Sequence, residues 1–213
     1  MKRLPVILFI SGLVIYAGCA SDPSLRSVKP VAYEKRMLVA VSDIQNQTGN
    51  GEYDPLMGGL AGSLTAELHE ADCFRVIERQ KLRSIMEEMK LGMTGPADPA
   101  RTIAAGKMAG AQAILFVNLA SVEYSSKKNS TFFAQDVKEK IETTMDARLV
   151  AVETGEILAA SKISIPFTNR YSSFCLFKDG EKADQKQIVQ QSLEKAIKHL
   201  ARDTAWQVSK RSR

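Results

Sequence analysis

Two short, almost wholly apolar runs set the limits on what this chain can become. Residues 37–44 (MLVAVSDI) begin with five apolar residues in succession, and residues 113–120 (AILFVNLA) repeat the pattern. Each is short for a helix and lacks the polar alternation of a strand with one face in water, so both read as central strands covered on both faces. Covering two faces takes helices, and the chain supplies them. Leu56, Leu60, Leu64 and Leu68 recur at four-residue spacing with Ala61 and Ala71 alongside, one apolar helix face that ends near Asp72. A short strand at 74–77 follows, then a helix marked by Leu82, Ile85, Met86 and Met89 and stopped by Gly92. Beyond Pro96, Asp98 is placed to cap a helix over 99–109 that buries Ile103, Ala104 and Met108. Residues 144–152 and 156–165 read as a hairpin turning at Glu153-Thr154-Gly155, where glycine accepts a positive φ. A last helix over 184–209 aligns Val189, Leu193, Ala196, Ile197, Leu200, Thr204 and Val208 on one face. The expected fold is α/β, a mixed sheet of about five strands with helices packed on it, in the order β-α-β-α-α-β-β-β-α.

Ahead of this domain lies a different kind of segment. Lys2 and Arg3 precede an apolar run of roughly 13 residues interrupted by Ser11, and Ala17-Gly18-Cys19 closes it. The run is shorter than the ~20 residues a permanent membrane helix needs, and it reads as an export signal. Its end resembles the lipobox of bacterial lipoproteins, with Tyr16 where an aliphatic residue is commoner. In such signals the thiol receives a diacylglycerol, the bond before it is cut and the new amino terminus is acylated, so the resemblance implies lipidation of Cys19. Two or three acyl chains, at about 0.8 kcal/mol per buried methylene, make that attachment effectively permanent. The alternative is an ordinary secretory peptide cut near the same place, which would leave a soluble periplasmic protein. Ala20 and Ser21, with no aspartate directly after the cysteine, resemble an outer-membrane address. Residues 1–18 are then the signal peptide, 19–35 a lipidated tether, polar and holding Pro23 and Pro30, and 36–213 the domain facing the periplasm. At about 3.3 Å per residue the tether reaches about 50 Å at most.

Composition narrows the function. Loss of Lys2 and Arg3 with the signal takes the formal charge from +5 to +3, too little to argue for nucleic acid. With Cys19 taken by lipid, Cys73 and Cys175 remain in an oxidising compartment, either joined as a disulfide or apart as small buried hydrophobes. The histidines, His69 and His199, lie on helices among charged neighbours and read as solvated helix face. No GxSxG, HExxH, CxxC or P-loop pattern occurs, so no catalytic residue, metal ligand or cofactor site is expected. Gly58, Gly59 and Gly62 read as permitting close helix packing. Asp43, ending the first strand with Asn46 and Thr48 nearby, sits where open α/β sheets bind ligands, although capping the turn is the stronger reading. Glu87 and Glu88 with Lys90 read as solvated charge.

Three stretches in order carry a family resemblance: FRVIERQKLRSIMEE from Phe74, AGKMAGAQAILFVNLASVEY further on, and DARLVAVETGEILAASK. They resemble the CsgG/HfaB family of curli production assembly and transport lipoproteins and, more weakly, the lipoprotein activators of penicillin-binding proteins. The resemblance covers roughly residues 37–162 and the carboxyl-terminal helix. It implies a CsgG-like periplasmic domain in which Val76 and Ile77 enter the sheet, Glu78 and Arg79 begin a helix, and Thr154-Gly155 turns a hairpin; none of these is catalytic. In pore-forming members two excursions become membrane hairpins of a many-subunit barrel, each strand needing about ten residues of alternating apolar character. The first counterpart here, residues 124–142, holds Lys127, Lys128, Asp136, Lys138, Glu139 and Lys140, with Phe132 and Phe133 adjacent, and does not read as lipid-facing. The second, residues 157–177, sets Ile157, Ile163, Ile165, Phe167, Tyr171 and Phe177 in one register, but Pro166 and Asn169 interrupt it. A core strand followed by a surface loop is the better reading there.

The expected function is that of a non-enzymatic outer-membrane lipoprotein serving secretion or assembly of extracellular or envelope material by anchoring and protein contacts, with its own pore formation doubtful. Expected partners are the membrane, through lipid on Cys19, and envelope or secretion proteins, with homo-oligomerisation left open. The alternative is a periplasmic activator that docks on a peptidoglycan synthase.

Overall fold

The structure is a computed structural model that describes residues 25–88, 99–130, 134–174, 177–179 and 184–211. In chain order these form β1 (Met37–Val41), β2 (Gln45–Asn46), α1 (Asp54–Glu70), β3 (Phe74–Val76), α2 (Arg79–Glu88) and α3 (Pro99–Met108). There follow β4 (Ala113–Ser130), β5 (Ala134–Ala151), β6 (Ile157–Phe174), β7 (Phe177–Asp179) and α4 (Gln185–Arg211). One mixed sheet holds every strand in the order β3-β1-β4-β5-β6-β7, with β2 beside β4. β1 is parallel to β3 and β4, and β4 to β7 are antiparallel in succession. The expected α/β order is present, with β2 and β7 as additional short strands.

The apolar runs are central because both of their faces are dry. Val39 and Val41 of β1 and Leu115, Val117 and Leu119 of β4 join the core built with α1 and α4. Ala40, Ile114 and Phe116 point the other way, into a second core with Leu82 of α2 and Ala105 of α3. The sheet is the middle of three layers here, which leaves no position for a polar residue. In β5 only the odd-numbered residues from 137 to 149 are buried, and the even-numbered ones are half-buried or exposed. Past the parallel strands, helices cover one face alone.

α1 buries Met57, Leu60, Ala61, Leu64 and Leu68, as the leucine spacing predicts. α4 buries the whole expected face from Val189 to Val208, with Ile188, Ala201 and Ala205 added. Two polar contacts register α4 on the sheet. The hydroxyls of Thr143 and Ser192 meet at 2.7 Å in the core. Gln207 donates to the Ala160 carbonyl at 2.8 Å and accepts from its N–H at 3.2 Å, satisfying the open backbone edge of β6.

Several expectations give way. α3 buries Thr102, Ala105 and Gly106 rather than Ile103, Ala104 and Met108; the first two of those are half-buried and Met108 is 62% exposed. The cause is steric, since a Cβ on Gly106 would stand 2.5 Å from Ile114 Cδ1, so the helix turns its smallest side to β4. Around Gly58, Gly59 and Gly62 there is open space, so close packing belongs to Gly106 instead. The expected hairpin over 144–165 is much longer: β4 and β5 pair out to Ser130 and Gln135, and β5 and β6 out to Ala134 and Phe174. β6 runs on through Pro166 instead of becoming a loop, because β7 pairs only with residues 172–174 and an edge strand tolerates the missing N–H. Gly155 turns the hairpin at φ 71°.

The tether is also shorter than expected. Arg26 pairs with Asp203 at 2.8 Å and stacks over Trp206 at 4.0 Å, while Val28 and Val31 pack on the main core. The Val31 N–H donates to the Asp72 carbonyl at 2.9 Å. Residues 26–31 are therefore a strap on the domain, not free chain. Met89, Lys90, Gly92 and Asp98 lie outside the described residues.

The packing at α3 makes a sharp contrast between glycines. Gly106→Val should lower stability by about 1–3 kcal/mol through overpacking against Ile114. Gly59→Ala, exposed on α1, should raise it by about 0.5–1 kcal/mol through helix propensity. Urea unfolding of the two variants checks both signs.

Candidate functional site

Asp43 follows the end of β1, and its carboxylate accepts from Arg79 and, at 3.1 Å, from Arg83 Nη2. Those arginines stand one turn apart on α2, which brings both guanidiniums to the same carboxylate. Arg79 Nη1 also donates to the Gly58 carbonyl at 3.0 Å, so the group ties the end of β1 to α2 and α1. Burial raises the Asp43 carboxyl pKa, but hydrogen bonding and charge from Arg79, then from Arg83, outweigh it and hold it below its ordinary value. The remaining space beside Ser42, Leu82 and Thr102 is about 20 Å³. That is room for about one water, not for a ligand. The turn-capping role falls to its neighbours. Asn46 Oδ1 accepts from the Thr48 N–H at 3.1 Å and hydroxyl at 2.7 Å, and Asn46 Nδ2 donates to the Asn50 carbonyl and the Asp54 carboxylate.

The histidines divide. His69 is exposed on α1. His199, expected in solvent, is buried on α4 and lines a polar cavity of about 210 Å³ with Arg26, Lys162, Ile163 and Asp203. The sequence reading missed this because α4 is covered from two sides, by the β6 edge and by the strap. Asp203 is the hub, accepting from Arg26, from the Ser161 hydroxyl at 2.5 Å and from Gln207 Nε2 at 2.9 Å. Cys73 is buried, its thiol pKa raised by burial, and Sγ donates to the Lys29 carbonyl at 3.5 Å. Cys19 and Cys175 lie outside the described residues. Among the described residues no three His, Cys, Asp or Glu side chains gather as a metal site.

The largest exposed feature is an arm. β4, β5 and β6 have 18 residues each, or about 60 Å at 3.3 Å per residue. The parallel strands engage β4 only as far as Leu119, where an irregularity before Ser121 breaks the register. Past that point β4, β5 and β6 continue without the parallel strands beside them, with α4 on one face as far as Thr143 and Ile141. One face carries Glu123, Ser125, Lys127 and Asn129 of β4, Asp136, Lys138, Lys140 and Glu142 of β5, and Pro166, Thr168 and Arg170 of β6. Arg170 grips Asp136 through two bonds of 3.0 and 2.8 Å, and Lys140 reaches Glu142 at 2.8 Å. The hydrogen bonds to Arg170 and to Lys140 lower the pKa of Asp136 and of Glu142, respectively. Lys127 stands directly opposite Lys138, a like-charge pair that opposes strand pairing. The other face is mixed: Glu139 is buried beside Val137 and Ile141, accepting from the Tyr124 hydroxyl at 2.9 Å and from Asn169 at 3.3 Å.

These features define an α/β domain that is three layers thick at one end and extends at the other as a three-stranded arm with one open, polar face. The family model of the curli production assembly/transport component CsgG matches residues 23–211, and the chain belongs to that family. Among solved structures it is similar to the neuraminyllactose-binding hemagglutinin homolog of Helicobacter pylori, at 12% identity and a TM-score of 0.50 over 88% of this chain and 98% of that one. That likeness is one of fold. Lipoprotein GNA1162 from Neisseria meningitidis is similar at 15% identity and a TM-score of 0.48, covering 73% of this chain and 92% of that one. The LpoB C-terminal domain from Salmonella enterica is similar at 16% identity and a TM-score of 0.37, covering 61% and 82%. These two superpose more loosely and carry nothing further. No curated protein matches the chain. Among the described residues no helix is long and apolar enough to cross a membrane.

Asp43→Asn should lower stability by about 1 kcal/mol at neutral pH, the discounted value for a half-exposed ion pair. The folded carboxyl lies below its ordinary value of 3.8, so its contribution is full above that value and fades as pH falls through the folded one. Urea unfolding at neutral pH and in acid should show the gap between wild type and variant closing in acid.

Proposed function

We propose that this protein is an outer-membrane lipoprotein, held by lipid on Cys19 with its domain in the periplasm, that serves secretion or assembly of extracellular or envelope material by anchoring and contact. It is not an enzyme and does not form a pore on its own. The observation that carries this reading is the chemistry of the arm. A strand that crosses a membrane presents an uninterrupted apolar face to lipid. One face of the arm is polar and mostly charged, and the other is broken by Lys128 and Glu139. Such an arm suits contact in water. Between Ser121 and Ser130 β4 pairs only with β5 among the described residues, and β6 pairs with no strand but β5 between the Gln207 contact at Ala160 and residue 171, so both borders offer backbone groups to envelope or secretion proteins or to further copies of the chain.

Docking on a peptidoglycan synthase stands second, for a reason of reach. With the strap in place only about seven residues join Cys19 to Arg26, about 25 Å when extended. The tether therefore adds little to the reach of the domain itself, so a synthase partner far from the anchoring membrane could be met only by the arm.

Cys19→Ser should move the whole domain into the soluble periplasmic fraction, read by fractionation. Retention in the membrane would mean that the arm holds it there. The lipidated wild type, reconstituted from detergent into planar bilayers, should give no ion conductance, and steady conductance would overturn the contact reading.

A further inference from the structure

Four large apolar side chains stand exposed among the described residues: Tyr33, Met108, Tyr124 and Ile157. Tyr124 belongs to the arm, where its hydroxyl bonds to Glu139. The other three gather at the opposite end of the sheet. Tyr33 precedes β1, with the guanidiniums of Arg36 and Arg75 at 5.7 and 5.8 Å from its ring. Met108 ends α3 just before β4, and Ile157 opens β6. Backbone bonds from the Gln112 N–H to the Leu38 carbonyl and from the Val152 N–H to the Gln112 carbonyl hold these strand ends level. α4 finishes at the same pole, where Trp206 lies between Arg26 at 4.0 Å and Lys210 at 3.8 Å, with Arg211 beyond. Lys29, Lys35 and Lys107 add cations, and Glu34, Glu153 and Glu156 offset part of that charge. Rings and long cationic side chains mixed with exposed apolar groups are what the headgroup layer of a bilayer favours.

The length of chain ahead of the strap selects the occupant. About seven residues separate Cys19 from Arg26, a reach of about 25 Å. From Ser161, whose hydroxyl bonds to the strap's partner Asp203, to Phe174 at the tip of the arm is about 43 Å of strand. With the arm toward the bilayer, the tether would run fully extended along the body and the polar arm would enter lipid. With the opposite pole toward the bilayer, the tether stays slack and the rings meet headgroups. We propose that the pole carrying Tyr33, Met108, Ile157 and Trp206 lies against phospholipid, so that the arm points away from the membrane. This rests on the lipid at Cys19.

Trp206 is the single tryptophan, which makes the orientation measurable. The lipidated full chain is reconstituted in phosphatidylethanolamine and phosphatidylglycerol vesicles with brominated acyl chains. Trp206 should lose most of its emission relative to unbrominated vesicles. A Trp206→Phe, Ser126→Trp protein, with its tryptophan in the arm, should keep its emission. Quenching of the arm tryptophan but not of Trp206 would overturn the orientation, as would quenching of neither in protein that floats with the vesicles. Protein that fails to float would show that Cys19 carries no anchor, and the proposal would fall with it.

Discussion

β5 keeps one face dry from Val137 to Leu149, about 40 Å of strand that has to be covered. Val137, Ile141, Met145, Ala147 and Leu149 are all within 4% of full burial. α4, with 27 residues, spans about 40 Å and is the element long enough for the task. Much else follows from that contact. It brings Ser192 against Thr143 in the core, sets Gln207 on the open edge of β6, and presents Asp203 and Trp206 as the dock for Arg26. α1 then completes the same layer over the parallel strands. Where α4 begins, cover thins, and the arm continues on cross-strand polar contacts.

What could be read from the sequence was what local burial writes into it. β1 and residues 113–117 of β4 are apolar at every position because both faces are dry, and α1 and α4 show helical spacing because each buries one stripe. The arm was harder to see. Glu139 occupies a buried position in the alternating pattern, and Lys127, Lys138 and Arg170 fill the open face, so period-two alternation is hidden under charge. Pro166 read as an end to β6, although an edge position accepts it. The strap rests on Val28 and Val31 in a polar stretch, too few to declare packing. His199 is buried by the β6 edge and the strap, which lie far away in sequence. Arg79 and Arg83 carried a visible four-residue spacing, but only the fold shows that Asp43 is the acid they share.

The domain is covered on both faces where the parallel strands lie and shows an open polar face along the arm, and the Asp43 site that resembles a ligand position is filled by the chain's own arginines. Membership of the CsgG family is consistent with an envelope role, and the departure lies in the hairpins, whose side chains suit water.

The central claim is that the arm is solvated even when the protein is on a membrane. Single cysteines along β5, in a Cys175→Ser background, test it through labelling by a membrane-impermeant maleimide. Lys138→Cys and Lys140→Cys should label readily and Ile141→Cys should stay protected, with the same pattern in the lipidated protein on membranes and in the soluble Cys19→Ser form. Protection of Lys138→Cys and Lys140→Cys on membranes alone would contradict the account and place the arm in lipid.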